Sequence, residues 1–230
     1  DAWWTDETTP VTGDRVQLTD SVPTGPTPGR AQSAYVFTDD NEAGTRLALR
    51  LLREGFRVSG STVPIIADRV SYPRGTFVVR VQRNGPNLYE RVTALAREVG
   101  ATVTAIQSAF PDTGQHGIGS DEVVGLRVPR VLLAAGEGID QTSFGSIWFY
   151  FERELGLPVT PINVGSISNA DLSNYNTLII PDASAKRLWR ELRDTGADRL
   201  KAWVHDGGAV IAIGEAVDLL AQKEVGLTTI

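Results

Sequence analysis

The residues best able to do chemistry are two histidines and a set of carboxylates that follow apolar runs. His116, in Gln115-His116-Gly117, has no second ligand at metal spacing and reads as an exposed loop residue. Glu137 lies between Gly136 and Gly138, just past the apolar run 131–135. Asp182 follows Ile179-Ile180-Pro181, and Glu215 follows Ile213-Gly214. If those runs are parallel strands, their carboxyl ends meet at one rim, where a doubly wound sheet binds ligands. Glu137, Asp182 and Glu215 could there hold a cation or the basic end of a peptide. The alternative is that each caps the following helix by accepting from free backbone N–H groups. Gly136-Glu137-Gly138 is only part of a phosphate loop: the third glycine is missing and Glu137 would repel a phosphate. A dinucleotide site is not expected. The candidate crevice is therefore Gly136, Glu137, Gly138, Asp182, Gly214 and Glu215, with no catalytic residue and no metal ligand assigned.

Composition narrows the function classes. A formal net charge of -6, with the basic residues scattered, argues against a nucleic-acid or anionic-membrane surface. Arg46, Arg50, Arg53 and Arg57 fall at or near helical spacing and read as a solvated helix face. Cysteine is absent, which removes disulfides, thiolate zinc sites and any cysteine nucleophile. Methionine is absent too, even at position 1, so the chain is expected to be a processed form or a fragment. No apolar run approaches the roughly 20 residues that a membrane helix needs.

Positioning these residues takes a regular succession of elements. Residues 1–30 are rich in Thr, Pro and Gly, and proline there forbids helix or central strand. They read either as a segment wrapped on a neighbouring surface, anchored by Trp3 and Trp4, or as a linker. Ala34-Tyr35-Val36-Phe37 is an apolar strand, and residues 38–41 supply capping oxygens for a helix carrying Ala43, Leu47, Ala48, Leu51 and Leu52. A strand begins at residues 56–58, residues 63–72 read as a hairpin, and residues 76–81 read as a strong strand. Leu88, Val92, Leu95 and Val99 mark a second helix ending at Gly100, and residues 102–106 alternate as a strand. The glycine-rich stretch 111–126 reads as a loop and a boundary. Beyond it come apolar runs at 130–135, 158–162, 177–180 and 209–213, separated by helical stretches around 147–155 and 188–204. Such alternation predicts a parallel sheet covered on both faces. The fold class expected is α/β: a smaller α/β unit over 31–126, then a flavodoxin-like, doubly wound unit over 127–230. Within the aromatic run Trp148-Phe149-Tyr150-Phe151, core packing is the default for Trp148 and Phe151 or their neighbours, with an inter-domain contact as the sharper alternative.

Several short motifs stand in a familiar order: Tyr72-Pro73-Arg74-Gly75-Thr76-Phe77, Arg130-Val131-Leu132-Leu133, Tyr175-Asn176-Thr177-Leu178-Ile179-Ile180-Pro181-Asp182 and Trp203-Val204-His205-Asp206-Gly207-Gly208. From about residue 31 to residue 220 the chain resembles the carboxy-terminal region of large bacterial zinc carboxypeptidases, family M14 of the carboxypeptidase A superfamily. The resemblance implies a secreted or periplasmic parent whose zinc and peptidase reaction belong to a preceding catalytic domain. It also implies a fold like that of class I glutamine amidotransferases for the region after the boundary. The chemistry of both does not carry over. Neither His116 nor His205 has a glutamate three residues on, as the family's His-x-x-Glu zinc pair requires. The turn matching a nucleophile elbow, Ile213-Gly214-Glu215-Ala216, holds no serine or cysteine. The expectation is a non-catalytic accessory region that holds no cofactor of its own. Its expected partners are the catalytic domain of the same polypeptide and peptide substrate, with no nucleic acid and no membrane span. A small-molecule or cation-binding module using the acidic rim is the alternative.

Overall fold

The structure, a computed structural model, describes residues 26–39, 42–110 and 116–229. Trp3, Trp4 and most of the segment 1–30 lie outside the described residues. So do Asp40 and Asn41 of the expected cap, and Gly114 and Gln115. The described chain is mixed α/β with a five-stranded antiparallel sheet, a four-stranded parallel sheet and a two-stranded antiparallel hairpin, and the two larger sheets share no strand.

The antiparallel sheet is ordered β6-β1-β5-β2-β7. Its strands are β1 (Ala34–Phe37), β2 (Ser59–Ser61), β5 (Phe77–Arg80), β6 (Thr104–Ile106) and β7 (Val123–Gly125). Helix α1 (Ala43–Arg53) joins β1 to β2, and α2 (Leu88–Val99) joins β5 to β6. Each βαβ unit leaves room for a strand of the other, which is the interlocked split-βαβ arrangement. Alternation along the strands sends Tyr35, Phe37 and Val79 toward Leu47, Leu51, Val92 and Leu95 of the two helices. Ala34, Val36 and Val78 face the other way, against a hairpin of β3 (Ile65–Ala67) and β4 (Val70–Tyr72), with Ile118 and Val123. Coverage on both faces explains why β1 is apolar at every position and wholly buried. Helix α2 stops at Gly100, whose φ of 75° is the left-handed conformation glycine supplies at a helix end. The hairpin turn puts Asp68 and Arg69 at φ 47° and 65°. Asp68 is held there because its carboxylate accepts from the N–H groups of Gln107 and Ser108. Strand β7 corrects the reading of 111–126 as loop throughout. Val123 and Val124 pair with Ser61 and Gly60, a three-residue strand hidden among glycines.

The parallel sheet is ordered β11-β10-β8-β9, from β8 (Val131–Ala135), β9 (Val159–Asn163), β10 (Thr177–Ile180) and β11 (Ala209–Ala212). The proline-bearing β9 lies at an edge, where a missing N–H does least harm. Leu132, Ala134, Leu178 and Ile180 pack against α4 (Ala185–His205), α5 (Ala216–Ala221) and the 3₁₀ turn carrying Val164 and Ile167. Val131, Leu133, Val159 and Ile179 pack on the opposite face against Phe144 and Ile147 of α3 (Gln141–Phe149) and against Phe151. Helix α3 starts earlier than periodicity suggests because Asp140 caps it, accepting from the Ser143 N–H at 2.7 Å. The α4 run is interrupted at Arg193, φ 56° and ψ 178°, which divides it into the two helical pieces seen in the sequence.

Helix α1 belongs to both units. Leu49 turns from its own sheet to join Leu133, Leu155 and Ile179 of the parallel one. Arg46 pairs with Glu154 at 2.8 Å, and Arg53 donates to the carbonyl of Gly156 at 2.5 Å. The arginine stripe read as solvated is therefore partly a contact between the units. Residues 26–30 run without helix or strand along α2, with Pro28 buried and Arg30 4.3 Å from the Tyr89 ring centroid.

Candidate functional site

The rim forms where β8, β10 and β11 end, and hydrogen bonds stitch its loops together. The Asp140 N–H donates to the Asp182 carbonyl at 2.8 Å, and the Ser184 N–H donates to the Gly138 carbonyl at 3.0 Å. The Asp182 N–H donates to Ser143 Oγ at 3.0 Å. Asp182 Oδ1 in turn accepts from the N–H groups of Ala183 and Glu215, at 3.0 and 2.9 Å. This carboxylate therefore ties the start of α5 to the end of β10 through Oδ1, as a capping side chain does. Gly214, at φ 61°, is required beside it, since a Cβ there would stand 2.3 Å from Asp182 Oδ1. Gly138 is confined in the same way, with the Arg187 side chain 2.8 Å from where its Cβ would be.

The six crevice residues do not share one hollow. Gly138, Asp182 and Glu215 line a cavity of about 290 Å³ together with Asp140, Ser184 and Arg187. Gly136 and Glu137 line a neighbouring one of about 470 Å³ with Gln141 and Phe144, and Ile139 borders both. Among the described residues no group of three or more His, Cys, Asp or Glu stands close enough to hold a metal ion. The three carboxylates accordingly do not form a metal set, and Arg187 brings positive charge into the hollow that holds two of them. Asp140 and Ser143 were legible as an N-cap pair three residues apart. Arg187 carries no sequence signal, because only the fold brings the first turn of α4 to this rim.

Among the described residues no nucleophile and base come together at the rim; the Ser120–His116 hydroxyl–imidazole contact lies in the antiparallel unit. At the elbow-like turn the side chain after Gly214 is the exposed Glu215. His205 is almost fully exposed at the end of α4, which starts at the rim and runs away from it. His116 is half-buried rather than exposed, its Nδ1 3.3 Å from Ser120 Oγ, and its carbonyl accepts from the Ile66 N–H. It belongs to the antiparallel unit. Neither histidine has ligand partners fit for zinc among the described residues. Trp148 and Phe149 are 46% and 58% exposed, contrary to the default of core packing for Trp148, whereas Phe151 does pack on the sheet. Tyr150 lies beside Glu42 and Asp39 of the other unit; burial first, then these carboxylates, push its phenol up.

Compared with protein-family models, with curated proteins and with solved structures, the chain matches none. Among the described residues no helix is long and apolar enough to cross a membrane.

Proposed function

We propose that this chain is a non-catalytic accessory region of a secreted or periplasmic zinc metallocarboxypeptidase. It serves as a structural or peptide-positioning module beside the catalytic domain of the same polypeptide. Counted within the parallel unit, the strand order is 2-1-3-4 with helices on both faces, which supports a flavodoxin-like, amidotransferase-like fold. The observation that carries the non-catalytic reading is the elbow-like turn. Gly214 adopts the left-handed conformation there, yet the position after it is Glu215, whose N–H is spent on Asp182. Zinc-water attack on a carboxy-terminal peptide bond is the parent's reaction, and none of its steps runs through these residues. The exposed Trp148 and Phe149 supply apolar surface for a neighbouring domain.

The test is to express the polypeptide of the full reading frame with and without residues 127–230. A His-x-x-Glu domain, zinc in both forms, and a changed KM or lowered stability in the shortened one are the expected results. A reading frame without such a domain would contradict the proposal.

A second reading, small-molecule binding at the rim, is favoured by the cavity of about 290 Å³ that Asp182, Glu215 and Arg187 share. Mixed charge there suits a zwitterion better than a bare cation. Saturable binding of a free amino acid, abolished by Arg187→Ala, would select this reading.

A further inference from the structure

The antiparallel unit holds a second hollow, of about 390 Å³, between the end of α1, the approach to β2, the end of β5 and the chain just after β7. Its polar lining is Arg57, Arg80, Arg83 and Ser59, and no carboxylate lines it. Phe56, Leu126 and Val128 form its apolar wall. Elsewhere in the same unit four arginines have acidic partners, Arg30 with Glu90, Arg46 with Glu154, Arg50 with Glu98 and Arg91 with Glu54, while Arg53 and Arg97 bond to uncharged oxygens. Among the described residues no carboxylate pairs with Arg57, Arg80 or Arg83. Scarcity is not the cause, because the chain has 28 acidic against 22 basic residues. The backbones of two of the three, Arg57 and Arg80, are also held in place. Asn84 Oδ1 accepts from the Arg57 N–H at 2.7 Å, while Asn84 Nδ2 donates to the carbonyls of Arg57 and Arg80 at 3.2 and 2.8 Å. Arg80 Nε donates to the Ile118 carbonyl at 2.9 Å, and its terminal nitrogens have no acceptor among the described residues. Burial, then the neighbouring Arg83 charge, push the Arg80 guanidinium below its ordinary range.

We propose that this hollow binds a small organic oxyanion, a carboxylate or phosphate head on an apolar body, with Arg57, Arg80 and Arg83 on the head. Guanidinium forks match both heads with paired charge-assisted hydrogen bonds, and the volume falls in the range of small-molecule sites. The site lies apart from the rim, so it stands whether or not the accessory-region reading holds.

The test is NMR titration of the whole chain with phenyl phosphate, with inorganic phosphate as the head-only control. Saturable shifts confined to residues around Arg57, Arg80 and Arg83 are expected, with at least tenfold weaker binding of inorganic phosphate. Arg57→Ala and Arg83→Ala, both at exposed positions, should each weaken phenyl phosphate about tenfold while leaving the circular dichroism unchanged. Arg50→Ala, at a paired arginine, should leave binding as it is. Shifts that do not saturate, equal binding of inorganic phosphate, or indifference to both hollow variants would overturn the proposal.

Discussion

Strand β1 of the antiparallel sheet and strand β11 of the parallel sheet show how differently the two units are finished. β1 is central, and all four of its side chains are covered by helices on one face or by the β3–β4 hairpin on the other. β11 is an edge strand on which Ile211 is 48% exposed. Ile211 is in register with the buried Ile179, so it points to the α3 face, which α3 does not cover at that edge. β1 leaves no apolar surface open, although the same unit exposes Val70, Phe110, Val124 and Leu126 elsewhere. In the second unit, β11 leaves Ile211 and an unpaired ladder open at the sheet edge.

The sharpest way to break that comparison is by core deletion. Leu47→Ala and Leu133→Ala remove fully buried side chains, one in each unit, and should each cost about 2–5 kcal/mol in urea denaturation. Ile211→Ala should cost under about 1 kcal/mol. Equal losses at Leu133 and Ile211 would mean that the edge is not open.

The rim comes next. Gly214→Ala forces a Cβ into the Asp182 carboxylate at a positive φ and should cost about 1–3 kcal/mol. Asp182→Ala orphans two N–H groups and should lose about 1–3 kcal/mol, whereas Asp182→Asn keeps an acceptor and should lose less. If Asn were as harmful as Ala, the carboxylate charge rather than its acceptor role would be what matters there.

The smallest expected effect is electrostatic and confined to the first unit. Arg91 donates through Nε to Glu54 at 2.8 Å, and its hydrogen bonds hold the Glu54 carboxyl below its ordinary 4.5. A lowered carboxyl stabilises the fold above the unfolded value, and that contribution is lost as pH falls through the folded value. Arg91→Ala should therefore lower stability only slightly at pH 7, and the gap from wild type should close as pH falls below about 4.5. A gap that stays constant down to pH 3 would show packing, not charge, at this pair.

Much of this architecture was legible because periodicity and punctuation agreed. Leu88, Val92, Leu95 and Val99 repeat at helical spacing before Gly100, and the run 131–135 is apolar throughout, so α2 and β8 follow directly. What escaped depends on partners distant in sequence. β7 is three residues long and exists because β2 offers it a ladder. The antiparallel order of the first sheet follows from the interleaving of its two βαβ units, which no local pattern records. The rim was half legible. Strand ends located Asp182 and Glu215, but the hydrogen bond that joins them, and the presence of Arg187, come from loop geometry alone.

The most direct test of the non-catalytic reading is to measure bound zinc and carboxypeptidase turnover on this chain by itself. The chain should hold well below one zinc per molecule and release no carboxy-terminal residue from peptide substrates. Stoichiometric zinc with turnover would contradict the account and return His116 and His205 to the centre of it.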